Sequence, residues 1–261
     1  MDNPLRKMLA ARGQRIQYTD LHCHILPGLD DGARDMETSL MMAWMARESG
    51  ARRIVATPHV MPGVYFPSPE AIRAGASLLR DNLREAGVEL EIVEGSEVCL
   101  TERLSRDYKD GKLLPLGRSR YILVELPSLS LPAHAMDEIL DLKAAGAGVI
   151  LAHPERNGDL RQDPDILREM VEVGIYLQVN AGSFVGVYGK EVSAFAERLL
   201  REGLVHFIGS DAHRGDHPDL AQSGPDIRPA LKKAFRSSGN RERFVARLEE
   251  RVEELLSGRL A

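Results

Sequence analysis

The chain has 261 residues, 43% of them hydrophobic and 28% charged, with a formal net charge of −5. That composition is globular, the length suits one α/β barrel, and the acidic balance argues against a nucleic-acid partner, because phosphate backbones are met by basic faces. Two cysteines are too few for a disulfide framework, the N-terminus lacks an apolar core of signal-peptide length, and no run of about 18 apolar residues is present to span a bilayer, so a cytoplasmic protein without membrane insertion is expected.

Apolar runs alternate with amphipathic segments from end to end. The first run, 17–21, predicts a buried strand that ends in Asp20-Leu21-His22-Cys23-His24. A helix follows over 36–48, with Leu40, Ala43, Trp44 and Ala46 at helical spacing. The strand 53–56 runs on into Thr57-Pro58-His59. The helix 69–86 opens at Ser68, which can cap it, with Pro69 suited to the first turn. Gly87 then supplies the left-handed residue that stops it. Strand 90–93 leads to Glu97, and strand 121–124 leads directly to Glu125. A helix over 135–145 ends at Gly146, and strand 149–152 leads to His153. A helix over 164–173 ends at Gly174 and is followed by strand 175–179. The helix 192–201 ends at Gly203, and strand 205–208 leads to Asp211 and His213.

The last element, 240–257, carries Phe244, Leu248, Val252, Leu255 and Leu256 on one face and is expected to pack on the exterior of the fold. Strand, helix, strand at this rhythm means parallel strands with crossover helices. Seven such units without a linker predict a single α/β domain, residues 1–261, of barrel type. An open doubly wound sheet is the structural alternative.

Five of the eight histidines fall at strand ends; only His134, His206 and His217 do not. Alternate residues of a strand share a face, so His22 and His24 project together, and Asp20 shares their parity. Parallel barrels carry their chemistry at the C-terminal ends of the strands. His22, His24, His59, Glu97, Glu125, His153, Asp211 and His213 would therefore converge there. An unpaired Glu125 would be costly to bury. A set of nitrogen and oxygen donors without thiolate favours Mn²⁺, Fe or Zn²⁺. The donors outnumber the needs of one ion, so two or three ions are expected, and adjacent ions can clamp a phosphoryl group. Arg156, three residues after His153, could grip phosphate oxygens in bidentate fashion. Arg214 directly follows His213. Cys23 should point away from the paired histidines and act as packing. No Ser/His/Asp arrangement and no glycine-rich phosphate loop is evident.

The Asp-x-His-x-His opening, Leu29-Asp30-Asp31-Gly32, Ala56-Thr57-Pro58-His59, Gly95-Ser96-Glu97, Val124-Glu125, Ala152-His153-Pro154-Glu155-Arg156 and Gly209-Ser210-Asp211-Ala212-His213 resemble the PHP (polymerase and histidinol phosphatase) superfamily. The Asp-Asp-Gly segment and the two glutamates resemble its branch of bacterial metal-dependent protein tyrosine phosphatases, which regulate capsule and exopolysaccharide synthesis. The resemblance runs from about residue 20 to about residue 215. It implies a distorted (β/α)₇ barrel and up to three Mn²⁺-like ions. It further implies that His22, His24, Glu97 and Asp211 hold one ion, and that Glu97 bridges to a second held by Glu125 and His153. Asp31, His59 and His213 would hold the third; Asp30 offers the same chemistry one residue away from Asp31.

Arg156 matches the family's phosphate-gripping arginine. A second arginine usual after the last motif is replaced here by His213-Arg214-Gly215-Asp216-His217-Pro218, where His217 or Arg214 could stand in. The expected activity is phosphomonoester hydrolysis, with Asp211, His213 and His217 as candidate acids for the leaving oxygen. By resemblance the substrate is the phosphorylated tyrosine tail of a bacterial tyrosine kinase. A small-molecule phosphatase acting on a compound such as histidinol phosphate is the alternative, and a non-catalytic metal-bound module is a third reading.

Overall fold

The computed structural model of the chain describes residues 17–213, 224–238 and 241–260. Its strands are β1 (Tyr18–Cys23), β2 (Ala51–Ala56), β3 (His59–Val60), β4 (Glu91–Glu94), β5 (Glu97–Cys99), β6 (Tyr121–Glu125), β7 (Gly148–Ala152), β8 (Tyr176–Asn180) and β9 (Phe207–Gly209). All their pairings are parallel. One ladder runs β1-β2-β4 and the other β3-β5-β6-β7-β8-β9.

The two ladders are halves of one ring. β2 and β3 are a single strand path bent at Thr57-Pro58, and β4 and β5 are another bent at Gly95-Ser96. Hydrogen bonds cross the bends in register: Gly95 N donates to Ala56 O (2.9 Å) and Glu97 N to Pro58 O (3.1 Å). The far ends also meet. Cys23 forms a parallel bridge with Ala212, Asp211 N donates to His22 O (2.8 Å) and His24 N to Ala212 O (2.9 Å). The described strands therefore trace seven paths closed on themselves, a distorted (β/α)₇ barrel rather than an open sheet. The distortion lies between β4 and β6, which no ladder joins among the described residues. Leu116 fills that gap, fully buried against the barrel interior.

Strands covered on both faces read as continuous apolar runs, and here Ile122-Leu123-Val124 and Val149-Ile150-Leu151 are all fully buried. Their residues divide by parity. Leu123 and Ile150 join Leu21, Val55 and Phe207 inside the barrel, while Ile122, Val124, Val149 and Leu151 pack outward under the helices. Those helices are α1 (Met36–Ser49), α2 (Pro69–Glu85), α3 (Leu104–Lys109), α4 (Ala135–Ala144), α5 (Gly158–Gln162), α6 (Asp165–Glu172), α7 (Ala181–Val185), α8 (Lys190–Arg201), α9 (Arg228–Ser238) and α10 (Arg241–Leu256). Ser68 caps α2, its side chain accepting from Ala71 N. None of the described helices is long and apolar enough to cross a membrane.

The amphipathic pattern placed α10 on the exterior, and its position is more specific than that. Val252, Leu255 and Leu256 belong to the barrel's interior cluster. Glu249 accepts from Thr19 N (2.7 Å) and from Arg52 Nη2 (3.0 Å), and Arg251 Nη1 donates to His206 O (3.0 Å). These partners sit at or just before the starts of β1, β2 and β9, so α10 closes the N-terminal mouth. The opposite mouth is left to the polar strand ends.

His206 stands at this closed end and is neutral for a physical reason. Its Nδ1 accepts from Leu177 N (3.1 Å), and burial, then the Arg251 guanidinium, push its pKa from 6.5 down to about 4. The unfolded chain takes up a proton between those values and the folded chain does not. The stabilisation is thus complete above pH 6.5 and is lost as pH falls toward 4. In His206→Gln, which keeps an acceptor, thermal melts between pH 4 and 7 should show a shallower acid decline than the parent. Parallel declines would remove His206 as the cause.

Candidate metal centre

Every donor named from the sequence and lying within the described residues comes to the C-terminal mouth. Donor atoms within 4.8 Å of one another form three groups: His24, Asp31, His59 and His213; His22, Glu97, His153 and Asp211; and His59, Glu97 and Glu125. Glu97 and His59 each belong to two groups. Glu97 is fully buried, with Oε1 at 2.9 Å from His153 Nε2 and Oε2 at 3.0, 3.2 and 3.3 Å from His59 Nδ1, His22 Nε2 and His24 Nε2.

Local structure accounts for the convergence. The β1–β2 register is irregular between Asp20 and Cys23, which puts Leu21 inside the barrel and still aims His22 and His24 at the mouth. Asp20 loses the expected shared parity. Its Oδ1 accepts from Ser210 N (2.8 Å) and His22 N (3.2 Å), so it ties β1 to the end of β9. Cys23 is fully buried, its Sγ facing Ala212 O. Gly209 must be glycine, because a Cβ there would lie 2.5 Å from His22 Cβ. Among the described residues, the only non-glycine positions with left-handed backbone are His153 (φ 30°) and Asp211 (φ 54°). Such backbone is strained and collects at functional sites; here both residues belong to the same donor group.

The imidazoles are oriented by partners on their other nitrogen. His22 Nδ1 faces Gln178 Oε1 (3.0 Å), and His24 Nδ1 faces Asp30 Oδ2 (2.7 Å). Gln178 is itself oriented by donating from Nε2 to Asn180 Oδ1 (3.0 Å). With Nδ1 of each ring engaged as a donor, each Nε2 presents a lone pair. The two Nε2 atoms lie 3.0 Å apart, which is repulsive unless a cation sits among them. Buried atoms His59 Nδ1, Glu97 Oε2 and Glu125 Oε2 also lack any hydrogen-bond partner, although unmet buried polar atoms cost about 1–3 kcal/mol each. Asp31, Glu97, Glu125 and Asp211 add four carboxylates against the single guanidinium of Arg156. Lone pairs, orphaned atoms and excess negative charge all fit divalent cations.

The titration behaviour has the same origin. Burial depresses the His22 imidazole, but Glu97 and Asp211 overcome this and raise it to about 9. Burial likewise opposes the Glu97 charge, and His22 and His153 nonetheless hold that carboxyl well below its ordinary range. His213 lowers Asp31 to about 2. Burial and the neighbouring Glu97 charge push Glu125 up. The cluster draws positive charge to itself, as protons or as metal.

Arg156 flanks this centre. Its Nη1 donates to Asp211 Oδ2 (2.9 Å), which also accepts from Asn180 Nδ2 (2.7 Å), while Asp211 Oδ1 faces His22 and His24 Nε2 (3.5 and 3.4 Å). The guanidinium lies over the Tyr188 ring, 4.8 Å from its centroid, a stacked cation–π arrangement.

The family profile for capsular polysaccharide synthesis, CpsB/CapC, matches residues 18–241. The chain belongs to this family. It is 40% identical to the tyrosine-protein phosphatase YwqE of Bacillus subtilis over 194 residues, 74% of this chain and 76% of that one. It is 27% identical to the tyrosine-protein phosphatase CpsB of Streptococcus pneumoniae over 232 residues, 87% and 94% of the two chains. The crystal structures of YwqE from Bacillus subtilis and CpsB from Streptococcus pneumoniae, described as unique metal-dependent tyrosine phosphatases, include a chain that superposes with a TM-score of 0.84 at 35% identity, covering 92% of this chain and 94% of that one.

In this CpsB/CapC member the four donors that the resemblance assigns to one ion stand together: His24 Nε2 lies 3.0 Å from His22 Nε2, 3.3 Å from Glu97 Oε2 and 3.4 Å from Asp211 Oδ1. His24 is also within reach of Asp31, His59 and His213, and His153 of His22, Glu97 and Asp211, so the donor groups overlap. The structure also separates the adjacent aspartates. Asp31 Oδ1 faces His213 Nε2 (3.5 Å) and His59 Nε2 (3.8 Å). Asp30 turns to His24 Nδ1 and accepts from Gly32 N and His59 N (2.9 Å each). His213 Nδ1 lies 3.0 Å from Asp211 O. His217 and Arg214 lie outside the described residues.

Gln178, Asn180 and Tyr188 are site residues that the sequence reading missed; Asp30, named there only as an alternative to Asp31, orients His24. Gln178 and Asn180 carried a signal, being two polar residues at alternating positions of an otherwise apolar strand. Tyr188 carried none. Gln178→Ala is expected to weaken metal binding about 10–100-fold, the usual cost of removing a partner that orients a ligating histidine. Metal titration of stripped protein checks this; unchanged affinity would exclude the orienting role.

Proposed function

We propose that the protein is a metal-dependent protein tyrosine phosphatase, with Mn²⁺ as its preferred ion, two or three per chain. The observation that carries this reading is the set of three donor groups, linked through Glu97 and His59, beside Arg156. His22, His24, Asp31, His59, Glu97, Glu125, His153, Asp211 and His213 would hold the ions. Divalent ions there would supply Lewis acidity and shift the pKa of water toward neutrality.

The chain's own residues do the rest. Arg156, anchored by one N–H to Asp211 and stacked on Tyr188, has its remaining donors available for phosphoryl oxygens, where charge accumulates in the transition state. Gln178 and Asp30 hold the tautomers that keep the Nε2 lone pairs facing inward. His217 is the candidate to protonate the leaving phenolate oxygen, because Asp211 and His213, as ligands, are poor acids. The substrate is read as the phosphorylated tyrosine tail of a bacterial tyrosine kinase that governs capsule or exopolysaccharide synthesis. The setting is read as cytoplasmic, in keeping with the unpaired thiols of Cys23 and Cys99.

The test is a side-by-side assay of Mn²⁺-loaded and chelator-stripped protein on a phosphotyrosine peptide and on histidinol phosphate. Metal-dependent turnover with a higher kcat/KM on the peptide is expected. A preference for histidinol phosphate would make this a small-molecule phosphatase, and full activity after stripping would reject the metal chemistry.

A further inference from the structure

The floor of the C-terminal mouth is charged, but part of its rim is apolar. Val64 is 63% exposed, Phe66 53% and Leu129 89%. These are large apolar side chains offered to solvent on the loops that follow β3 and β6. Both loops are rigidly built. In the first, Met61 N donates to Tyr65 O (2.6 Å) and Tyr65 N to Met61 O (2.9 Å), closing a tight hairpin. In the second, Asn157 Nδ2 donates to Pro127 O (2.7 Å), Gly158 N to Ser128 O (3.0 Å) and Leu131 N to Asp159 Oδ2 (2.8 Å). A Cβ on Gly158 would lie 2.7 Å from Leu129 O, so that loop is seated closely on the segment just after Arg156. The fixed backbone, not slackness, holds these side chains out of the core.

The two loops also share a root in the metal centre. His59, which begins the first, and Glu125, which ends the strand before the second, approach to 3.7 Å. The Tyr65 ring lies nearly parallel to His59, with centroids 6.3 Å apart and an interplanar angle of 14°. An aromatic face thus joins the rim to the floor. A second copy of the chain docked here would cover the centre and stop turnover. A small polar phosphoester would fill the floor without reaching the rim. The occupant with matching chemistry is an extended peptide, its phosphate on the floor, its tyrosyl ring beside Tyr65 and its flanking residues over Phe66, Val64 and Leu129.

We propose that Val64, Phe66 and Leu129 form a docking rim that selects apolar residues flanking the phosphotyrosine. This rests on the phosphatase reading above. The rim residues are none of the metal donors, and the side-chain partners of Arg156 are Asp211 and Tyr188, so their replacement is expected to leave the floor intact. The experiment compares the Mn²⁺-loaded parent with the double variant Phe66→Ser/Leu129→Ser on three substrates: p-nitrophenyl phosphate, a phosphotyrosine peptide with Leu and Phe flanks, and the same peptide with Ser and Gly flanks. The parent should prefer the apolar peptide. The variant should lose about tenfold or more in kcat/KM on that peptide, mostly through KM, the scale of losing well-packed contacts. Its p-nitrophenyl phosphate kinetics and melting temperature should match the parent's. Equal losses on all three substrates, or an unchanged flank preference, would overturn the rim. Hydrolysis of p-nitrophenyl phosphate by the parent reports on the phosphatase reading separately, since that substrate has no flanks.

Discussion

Glu97→Gln is expected to lower kcat/KM on p-nitrophenyl phosphate by roughly 1,000-fold or more, equivalent to about 4 kcal/mol of transition-state stabilisation. The substitution preserves shape and removes only charge. Glu97 is fully buried and faces four histidines, His22, His24, His59 and His153, within 3.3 Å. It also belongs to two of the three donor groups, so its loss weakens more than one ion position at once. Its unpartnered Oε2 becomes, in one orientation, an amide that points N–H groups at a lone-pair cluster. Metal content by elemental analysis should fall together with activity. Retained metal and retained turnover would show that Glu97 is not a ligand and would sink the proposed ligand set. A distant site such as His206→Gln should leave metal content unchanged, which controls for general loss of structure.

Arg156→Ala is expected to lower kcat/KM by about 100–1,000-fold, the range for deleting a preorganised donor to developing charge, with metal content held. Arg156→Lys should recover little, because an ammonium cannot reproduce the planar bidentate grip or the stacking on Tyr188. Inorganic phosphate should inhibit both variants less strongly than the parent. Tyr188→Leu provides a sharper arm. If the ring acts by holding the guanidinium 4.8 Å from its centroid, its removal costs activity in the parent and nothing further in the Arg156→Ala background. Additive losses would assign Tyr188 an independent role. Parent-like kinetics in Arg156→Ala would remove Arg156 from phosphate binding.

The parts of this protein legible in the sequence are those governed by local periodicity. The seven main strands were placed to within about two residues, because strands buried on both faces must be apolar throughout. The caps at Ser68 and the glycines after helices marked the helix ends by backbone chemistry alone. The short elements β3, β5, α3, α5 and α7 were not anticipated, since two to six residues are too few to show a period. Gln178 and Asn180 were visible as polar interruptions of a strand but gained meaning only when their partners His22 and Asp211 came alongside.

What the sequence determined by itself is the donor inventory and its place at strand ends, because residue type and strand parity are local properties. What the tertiary structure decided is how closely those donors approach one another. Bends at Thr57-Pro58 and Gly95-Ser96, the irregular register of β1 and the left-handed backbone at His153 and Asp211 rotate side chains across the mouth. Those rotations bring His24 Nε2 to 3.0 Å from His22 Nε2 and 3.3 Å from Glu97 Oε2, stack the His24 ring against His213 with centroids 3.9 Å apart, and set His153 Nε2 2.9 Å from Glu97 Oε1. Spacing along the chain cannot encode them, because each depends on how a strand end meets neighbours that are distant in sequence. The closed ring of hydrogen bonds from β9 back to β1 sets those meetings.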